Sequence, residues 1–296
     1  VPLPLMVPSL LIPAMAAAAA SLTDARCVLV TGANKGIGRA VCSAILDAQP
    51  NTRVLLAARS ATRGARAAES IASEAPNNGR IEFIGMDVSD DASVMSAAQQ
   101  VSNLLGGQRL YGIVNNAGIG FGNGFTDTVN TNYLGTRRVC EAFLPLLCQD
   151  GRICNIASAS GPNFVSDCTP EHAKILASEQ VTLDAIDALL KNYVGMTDYE
   201  DKAYGLSKAC VNAYTRILAR ETPTLKINSC TPGFIATDLT AGMGASLPPE
   251  KGTKAVLHLL FGQLDGAGTG WFYGSDALRS PLDRYRAPGS PAYDGL

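Results

Sequence analysis

The sequence has few charged side chains and almost no histidine, and both shortages narrow what the protein can do. Among 296 residues, 24 are basic and 26 acidic, and they are mixed along the chain without the basic stripe that nucleic-acid binding requires. The two histidines, His172 and His258, are too few and too isolated for a histidine-rich metal site or a Ser-His-Asp triad. We therefore expect a small-molecule partner, no nucleic acid and no metal.

Cysteine pairs of the zinc or redox type are also missing from the sequence. The eight cysteines lie mostly inside apolar runs, and no two of them show the two-residue spacing of such motifs. We interpret them as reduced core residues.

The first 20 residues contain no Lys or Arg, although they are strongly apolar. Four prolines, Pro2, Pro4, Pro8 and Pro13, interrupt this stretch, so it does not predict a membrane helix. A secretory signal or a mitochondrial presequence would need basic residues. We interpret residues 1–25 as a disordered leader or extension, with a leader remnant and a translated upstream region as alternatives. We expect a cytoplasmic protein without a membrane partner, and an organelle stays open.

From Arg26 onward, short apolar runs alternate with segments of helical period, which is typical of a parallel sheet covered on both faces. The predicted helices include 36–48 and 204–219, and the predicted strands are 27–31, 53–58, 81–86, 110–115, 151–157, 225–230 and 270–273. The fold class is thus α/β, a Rossmann-type doubly wound parallel sheet of about seven strands with helices on both faces. Residues 26–279 would form one domain with a helical insertion at 161–203, and 280–296 an irregular tail. Within the insertion, 170–180 and 182–193 are amphipathic helical stretches.

A glycine-rich turn joins the first strand to the first helix. Glycine permits the tight turn and lets backbone N–H groups approach a pyrophosphate, which the helix N-terminus also attracts. A tight connection without a ligand would show the same glycines, but the strand before and the helix after favour a dinucleotide site. The candidate cofactor residues in this turn are Gly32, Asn34, Lys35, Gly36, Ile37 and Gly38.

The residue at the end of the second strand favours NADP over NAD. An NAD site usually has Asp or Glu there to bind the ribose hydroxyls, whereas this chain has Arg59. A guanidinium suits a 2′-phosphate and has no acceptor for a hydroxyl. Lys35 and Arg63 can add positive charge at the same place, and an ordinary solvated surface is the alternative interpretation.

Two more strand ends carry candidate cofactor residues. Asp87 and Val88 follow the third strand, where a carboxylate can accept from the adenine amino group and Val88 can pack on its ring. Small residues after the fourth strand let a cofactor ribose approach the backbone, namely Asn116, Ala117 and Gly118. Asn116 has a second interpretation, as a residue that only ties neighbouring strands together.

The helix at 204–219 carries the candidate chemistry. Tyr204 and Lys208 are four residues apart and therefore share one helical face. A nearby ammonium stabilises a phenolate, which makes proton transfer from Tyr204 easier. Ser158, after a strand, can hold a substrate carbonyl oxygen beside Tyr204. A surface Tyr and Lys at this spacing also arises by chance on helices, which is the alternative interpretation.

The motifs TGANKGIG, NNAG, a strand-end Ser and YGLSK, in this order, resemble the short-chain dehydrogenase/reductase family over a stretch from about Arg26 to about Tyr273. The resemblance implies a catalytic set formed by Asn132, Ser158, Tyr204 and Lys208. It also implies that Asn132 bends its helix and holds a water that links Lys208 to solvent. The residues expected at the nicotinamide end are Pro232, Gly233 and Thr237.

More closely, TGANKGIGRA, AARSATRG, TNYLGTRRVCEAFLPLL and the 45 residues between Ser158 and Tyr204 are similar to the monomeric carbonyl reductases, including the plant salutaridine and menthone reductases. In oligomeric relatives the helices around the catalytic Tyr form the subunit contact, and in this group inserted helices cover that surface. The resemblance therefore implies a monomer. Ala157 departs from the family pattern, which commonly has a Ser there.

The expected activity is NADPH-dependent reduction of a carbonyl group, with Tyr204 as the proton donor. The pocket would be closed by the insertion and by residues near Gly120, Phe121, Phe164 and Phe234. Their apolar character indicates that the substrate is a hydrophobic ketone, aldehyde or quinone. Two alternatives stay open: an NAD(P)-dependent alcohol dehydrogenase working in the oxidative direction, and a non-catalytic protein that senses NADP(H).

Overall fold

The structure, a computed structural model, describes residues 25–74, 77, 79–194, 202–264 and 266–295. The interpretation of residues 1–25 therefore falls almost wholly outside the described residues. A sheet of eight strands runs through the described chain. Its strands are β1 Arg26–Thr31, β2 Thr52–Ala58, β3 Ile81–Gly85, β4 Leu110–Asn115, β5 Leu147–Ile156, β6 Lys226–Cys230, β7 Phe272–Tyr273 and β8 Arg279–Ser280.

Helices connect the strands and cover the sheet. They are α1 Gly36–Ala48, α2 Ala61–Ala72, α3 Asp91–Leu105, α4 Phe125–Val129, α5 Gly135–Phe143, α6 Ser160–Asp167, α7 Pro170–Leu176, α8 Leu183–Lys191, α9 Ala203–Glu221 and α10 Lys254–Phe261. Side chains cap the starts of four of them, namely Ser60 before α2, Asp90 before α3, Thr169 before α7 and Thr182 before α8. The predicted helix at 36–48 has the predicted bounds, and the one at 204–219 extends slightly at both ends.

The strand order is β3-β2-β1-β4-β5-β6-β7-β8, and only the β7–β8 pair is antiparallel. Side chains alternate between two apolar clusters, so that Leu29 packs on one face with α3, α5 and α9, while Val28 and Val30 pack on the other with α1, α2 and α10. The predicted doubly wound α/β fold is confirmed. The order reverses between β1 and β4, and a crevice for a ligand is expected at the carboxyl ends of these strands.

The insertion between β5 and α9 packs on α9 instead of extending into solvent. Its first helix, α6, was not predicted, and α7 and α8 are shorter than the predicted 170–180 and 182–193. Residues 177–181 leave the helix, and three of their carbonyl oxygens accept hydrogen bonds from α9. Arg216 donates to Ala177 O at 2.6 Å, and Arg220 donates to Glu179 O at 2.7 Å and to Val181 O at 2.8 Å. Residues 195–201 of the insertion lie outside the described residues.

The C-terminal tail is fixed by a buried ion pair, although residues 281–295 contain no helix or strand. Arg286 is 8% exposed and pairs with Asp276. Its guanidinium also donates to Arg279 O at 3.0 Å and to Ser290 O at 2.7 Å. A buried charge is tolerated only with such partners. The eighth strand, β8, which begins this tail, was missed because two residues carry no readable period.

The cysteines are free thiols, as predicted, and six of the eight are buried. Burial raises the pKa of Cys27 to about 11 and that of Cys140 to about 12, which makes both poor nucleophiles. None of the described helices has the length and apolar character needed to cross a bilayer.

Arg216→Ala should loosen the insertion from α9. Loss of the partly buried hydrogen bond to Ala177 O should lower the free energy of unfolding by about 1–2 kcal/mol. It should also speed hydrogen exchange in α7, and urea unfolding with hydrogen-exchange mass spectrometry measures both. Arg284→Ala is the matched control, because that side chain is 69% exposed. Equal exchange of α7 in the two variants would show that Arg216 does not hold the insertion.

Candidate active site

The turn after β1 has the backbone shape that the glycines were predicted to supply. Gly32 and Gly36 have φ angles of 62° and 55°, in the left-handed region that glycine tolerates best. A Cβ on Gly32 would lie 2.7 Å from Ala117 Cα, and a Cβ on Gly38 would lie 2.7 Å from Gly32 O and also meet the side chain of Asn116. The turn therefore packs directly against the end of β4, and a side chain at Gly32 or Gly38 would collide with the chain's own atoms.

A cleft of about 840 Å³ opens at the carboxyl ends of β1 and β4. This volume lies within the usual range of ligand sites. The structure places every predicted site residue except Asn132 along this cleft, namely Gly32, Asn34, Lys35, Gly36, Ile37, Gly38, Arg59, Asp87, Val88, Asn116, Ala117, Gly118, Ser158, Tyr204, Lys208, Pro232, Gly233 and Thr237. Residues separated by just over 200 positions in the chain thus share one concave surface, and they fit a dinucleotide.

Both interpretations of Asn116 agree with its contacts. Its Nδ2 donates to Thr31 O at 2.9 Å and to Gly32 O at 3.2 Å, and its backbone N donates to Thr31 Oγ1 at 3.0 Å. Asn116 therefore ties the end of β4 to the glycine turn, and it still lines the cleft.

The cations at the ribose end of the cleft face two carboxylates. Arg59 Nε lies 3.8 Å from Asp87 Oδ2, and Lys35 forms an ion pair with Asp238. The hydrogen bond from Lys35, and the more distant charge of Arg63, hold the pKa of Asp238 below its ordinary value. All three cations line the cleft, so positive charge is in excess there. Sequence reasoning missed Asp238, because its partner is about 200 residues away.

Lys208 is held at the inner end of the cleft by a main-chain contact. Its Nζ donates to Ile156 O at 2.7 Å, and the residue is only 4% exposed. Burial lowers the pKa of Lys208 from 10.5 to about 8, because desolvation disfavours the ammonium. The Lys208 ammonium lies 5.8 Å from the centre of the Tyr204 ring. The two side chains predicted to act together are therefore neighbours.

Tyr204 is buried and titrates above the ordinary tyrosine range. Burial raises the pKa of Tyr204, and a hydrogen bond between the Tyr204 and Ser158 side chains opposes this effect. A buried tyrosine of this kind holds its proton at neutral pH, as a proton donor must. The predicted lowering of its pKa by Lys208 stays a prediction.

Asn132 lies behind the cleft, in a π-helical segment, Asn130–Leu134, between α4 and α5. Such segments often occur at functional sites. Asn132 Oδ1 accepts from Ile119 N at 2.8 Å, and Asn132 Nδ2 donates to Ile119 O and Ser207 Oγ, each at 3.0 Å. The amide is fully satisfied by these contacts, and it lies beside Gly118, where a Cβ would be 3.1 Å from Asn132 Oδ1.

Two glycines let α6 lie directly against α9. A Cβ on Gly161 would lie 3.0 Å from Lys208 C, and a Cβ on Gly205 would lie 3.0 Å from Ser160 O. This contact brings the first turn of α6, which follows Ser158, next to the turn of α9 that carries Tyr204. Ser160 consequently lines the cleft too. It was missed because the helical stretches detected in the insertion begin only at 170.

The substrate end of the cleft is apolar, as expected. Three of the four predicted residues line it, namely Gly120, Phe121 and Phe234, whereas Phe164 does not. Phe121 and Phe234 line it and are 48% and 50% exposed. Phe164, by contrast, is 7% exposed and packs edge-on against Tyr193 in the core, because α6 turns it inward. None of the described residues of 161–203 lines the cleft. Leu239 and Met243, which follow β6 in the chain, line the cleft instead, and the sequence did not single them out.

The geometry agrees with three comparisons with known proteins. The sequence model of the short chain dehydrogenase family matches residues 26–169. Carbonyl reductase [NADPH] 1 of Oryctolagus cuniculus is 31% identical over 268 residues, which cover 83% of this chain and 94% of that protein. The chain belongs to the short-chain dehydrogenase/reductase family. The chain is also 32% identical to (+)-neomenthol dehydrogenase of Arabidopsis thaliana over 277 residues, which cover 79% of this chain and 90% of that protein.

Among solved structures, salutaridine reductase from Papaver somniferum superimposes with a TM-score of 0.72 and 27% sequence identity, over 84% of this chain and 99% of that chain. The predicted resemblance to the family and to the salutaridine reductase group is confirmed.

Gly205→Ala should push α6 away from α9. The new Cβ would lie 3.0 Å from Ser160 O and 3.1 Å from Phe164 Cβ, so both must move by a few tenths of an ångström. We expect the free energy of unfolding to fall by about 1–2 kcal/mol, because overpacking outweighs the better helix propensity of alanine. Urea unfolding measures the loss. Gly85→Ala, whose Cβ would meet nothing nearer than 3.9 Å, is the control; equal stability of the two variants would contradict the close contact.

Proposed function

We propose that this protein reduces a carbonyl group to an alcohol with NADPH. The observation that carries the proposal is the meeting of Ser158, Tyr204 and Lys208 at the inner end of a dinucleotide-shaped cleft. Gly118 lies there as well, and a Cβ at this position would be 3.5 Å from Lys208 Nζ. The backbone beside the three side chains is thus kept open for the nicotinamide ribose.

Each of the three side chains has a role that its surroundings support. When bound, the reduced nicotinamide supplies a hydride to the carbonyl carbon. Tyr204 holds the proton that the carbonyl oxygen takes, and its burial keeps that proton in place until transfer. Ser158 orients the oxygen through its hydroxyl. Lys208 binds the ribose and stabilises the developing phenolate with an ammonium that is mostly protonated below pH about 8.

The excess of positive charge at the ribose end supports NADPH over NADH. Arg59 follows β2, where an NAD enzyme usually carries an acidic residue. A 2′-phosphate would reach Arg59, Lys35 and Arg63, all of which line the cleft. The rabbit relative named carbonyl reductase [NADPH] 1 supports the same cofactor.

The apolar rim supports a hydrophobic substrate. Phe121 packs 5.0 Å from the Tyr204 ring, centre to centre, and Phe234 and Met243 are about half exposed on the same cleft. Exposed aromatic surface beside a reactive group is expected where a ketone, aldehyde or quinone of low polarity binds.

The buried state of α9 supports a monomer. Apart from Arg220 and Glu221, every residue of α9 is buried or half-buried under the chain's own helices. The insertion reaches α5 too, where Arg137 Nη1 lies 3.7 Å from Asp187 Oδ2. The helix that carries Tyr204 thus leaves little surface for a second copy.

Tyr204→Phe should abolish turnover without preventing cofactor binding. Removal of the proton donor should lower kcat by about 100-fold or more. The oxidation of NADPH and NADH is followed with aromatic aldehydes, quinones and cyclic ketones, and NADPH binding is followed by its fluorescence. Binding without turnover by the wild type on the whole panel would favour a cofactor sensor, and turnover confined to alcohol oxidation with NAD would favour a dehydrogenase.

Arg59→Asp tests the preference for NADPH over NADH in the same assay. The variant should lose about tenfold or more of its preference for NADPH over NADH, because a charged hydrogen bond to the 2′-phosphate becomes a repulsion. An unchanged preference would place the phosphate elsewhere.

The rate of reduction should fall as pH rises through about 8. Lys208 has a lowered pKa of about 8, so its positive charge is present below that pH and is lost above it. Measured as kcat/KM for NADPH, which reports the free enzyme, the decline should approach tenfold per pH unit. Lys208→Arg keeps its charge at high pH and should lose this break while retaining residual activity. If kcat/KM declined at the same pH in the wild type and in Lys208→Arg, the decline would belong to another titrating group.

A further inference from the structure

Ser160 adds a second hydroxyl beside Ser158 in the cleft. Ser158 Oγ donates to Ser160 Oγ at 3.3 Å, and the backbone N of Ser160 donates to Ser158 Oγ at 3.2 Å. Both residues line the cleft and are half-buried. Among the described residues, no acceptor takes the hydroxyl hydrogen of Ser160. This side chain therefore offers a spare donor one hydrogen-bond length from the group proposed to hold the substrate oxygen.

Packing fixes the position of Ser160. It is the first residue of α6, and its carbonyl oxygen lies directly over Gly205, where a Cβ would be 3.0 Å away. Gly161 makes the equivalent contact with the backbone of Lys208. Because two helix backbones meet here, the two serine hydroxyls and Tyr204 keep one mutual arrangement.

The residues around Ser160 at this end of the cleft are apolar or already use their hydrogen-bond donors. Phe121, Leu239 and Met243 contribute apolar surface. The amide of Asn123, which also lines the cleft, donates to Gly120 O at 2.9 Å and to Phe121 O at 3.2 Å and so is used within its own loop. A polar group of the substrate beside the reacting carbonyl would therefore find its donor in Ser160.

We infer that Ser160 is a specificity residue that favours substrates with two adjacent carbonyl groups, an inference that rests on the proposed carbonyl reduction. The oxygens of such a vicinal dicarbonyl, when on the same side, lie about as close together as the two serine hydroxyls. When the substrate binds, the Ser158 hydroxyl turns from Ser160 to the oxygen that is reduced, which Tyr204 also binds, and Ser160 donates to the oxygen that is not reduced.

The reaction is a two-electron reduction of one carbonyl. The carbonyl carbon forms a C–H bond with a hydride from the reduced nicotinamide cofactor, which is thereby oxidised. The electron pair of the C=O π bond moves to the oxygen, which forms an O–H bond with the proton of Tyr204. Tyr204 recovers a proton from solvent. The product is an α-hydroxyketone, in which the second carbonyl is unchanged.

The test compares 1-phenyl-1,2-propanedione with propiophenone, which has the same skeleton and one oxygen fewer. The proteins are wild type, Ser160→Ala, Ser160→Thr, Ser158→Ala and Ser96→Ala, the last being an exposed serine on α3 outside the cleft. In Ser160→Ala, kcat/KM for the dione should fall about tenfold more than kcat/KM for the ketone. Ser160→Ala keeps the backbone donor to Ser158, so only the second hydroxyl is removed.

The remaining variants separate a specificity role from a structural one. Ser160→Thr should restore the dione preference, Ser158→Ala should lower turnover of both substrates, and Ser96→Ala should match the wild type. Equal losses on both substrates in Ser160→Ala, or no loss on either, would overturn the inference.

Failure of the proposed function has a separate signature. If the wild type reduces neither substrate, calorimetric titration of the dione into the NADP⁺ complex still tests Ser160. Binding about tenfold weaker in Ser160→Ala than in Ser96→Ala would keep the dicarbonyl site. Equal binding in the two variants, or no binding of the dione to the wild type, would reject it.

Discussion

The hydrogen bond from Lys208 Nζ to the carbonyl oxygen of Ile156 is the contact on which the active end of the cleft depends. A buried ammonium needs an acceptor, and the last residue of β5 provides one. The bond ties α9 to the sheet, so Tyr204, one helical turn before Lys208, comes to lie beside Ser158, two residues after Ile156. The burial that places Lys208 also lowers its pKa, so position and titration have one cause.

Glycine contacts extend this arrangement outward. Gly161 and Gly205 allow α6 to follow Ser158 closely and to lie on α9, which brings Ser160 into the cleft. Farther out, Arg216 and Arg220 hold the loop between α7 and α8 against the same helix. The insertion therefore acts as a cover for the helix that carries Tyr204, and beyond Ser160 its described residues contribute no side chain to the cleft.

The two ends of the cleft differ in the interactions they offer. The ribose end gathers Lys35, Arg59 and Arg63 against Asp87 and Asp238, and such exposed charges respond to salt. The substrate end is formed by aromatic and aliphatic side chains, with the serine hydroxyls and Tyr204 as its reactive polar groups. Under the proposed function, charge would select the cofactor, and shape together with a few hydrogen-bond donors would select the substrate.

The sequence by itself determined the order of strands and helices and the residues at the strand ends, because hydrophobic period, glycine turns and the Tyr204 to Lys208 spacing are local. It did not reveal β8, whose two residues show no period, or α6 and Ser160. It also placed Phe164 in the substrate pocket instead of the core. The inward face of a short helix is set by the helix it packs on, which the sequence does not show. The partners Lys35 and Asp238, and Lys208 and Ile156, are brought together only when the whole sheet has formed. Tertiary structure decided these contacts, since their energies arise between segments far apart in the chain.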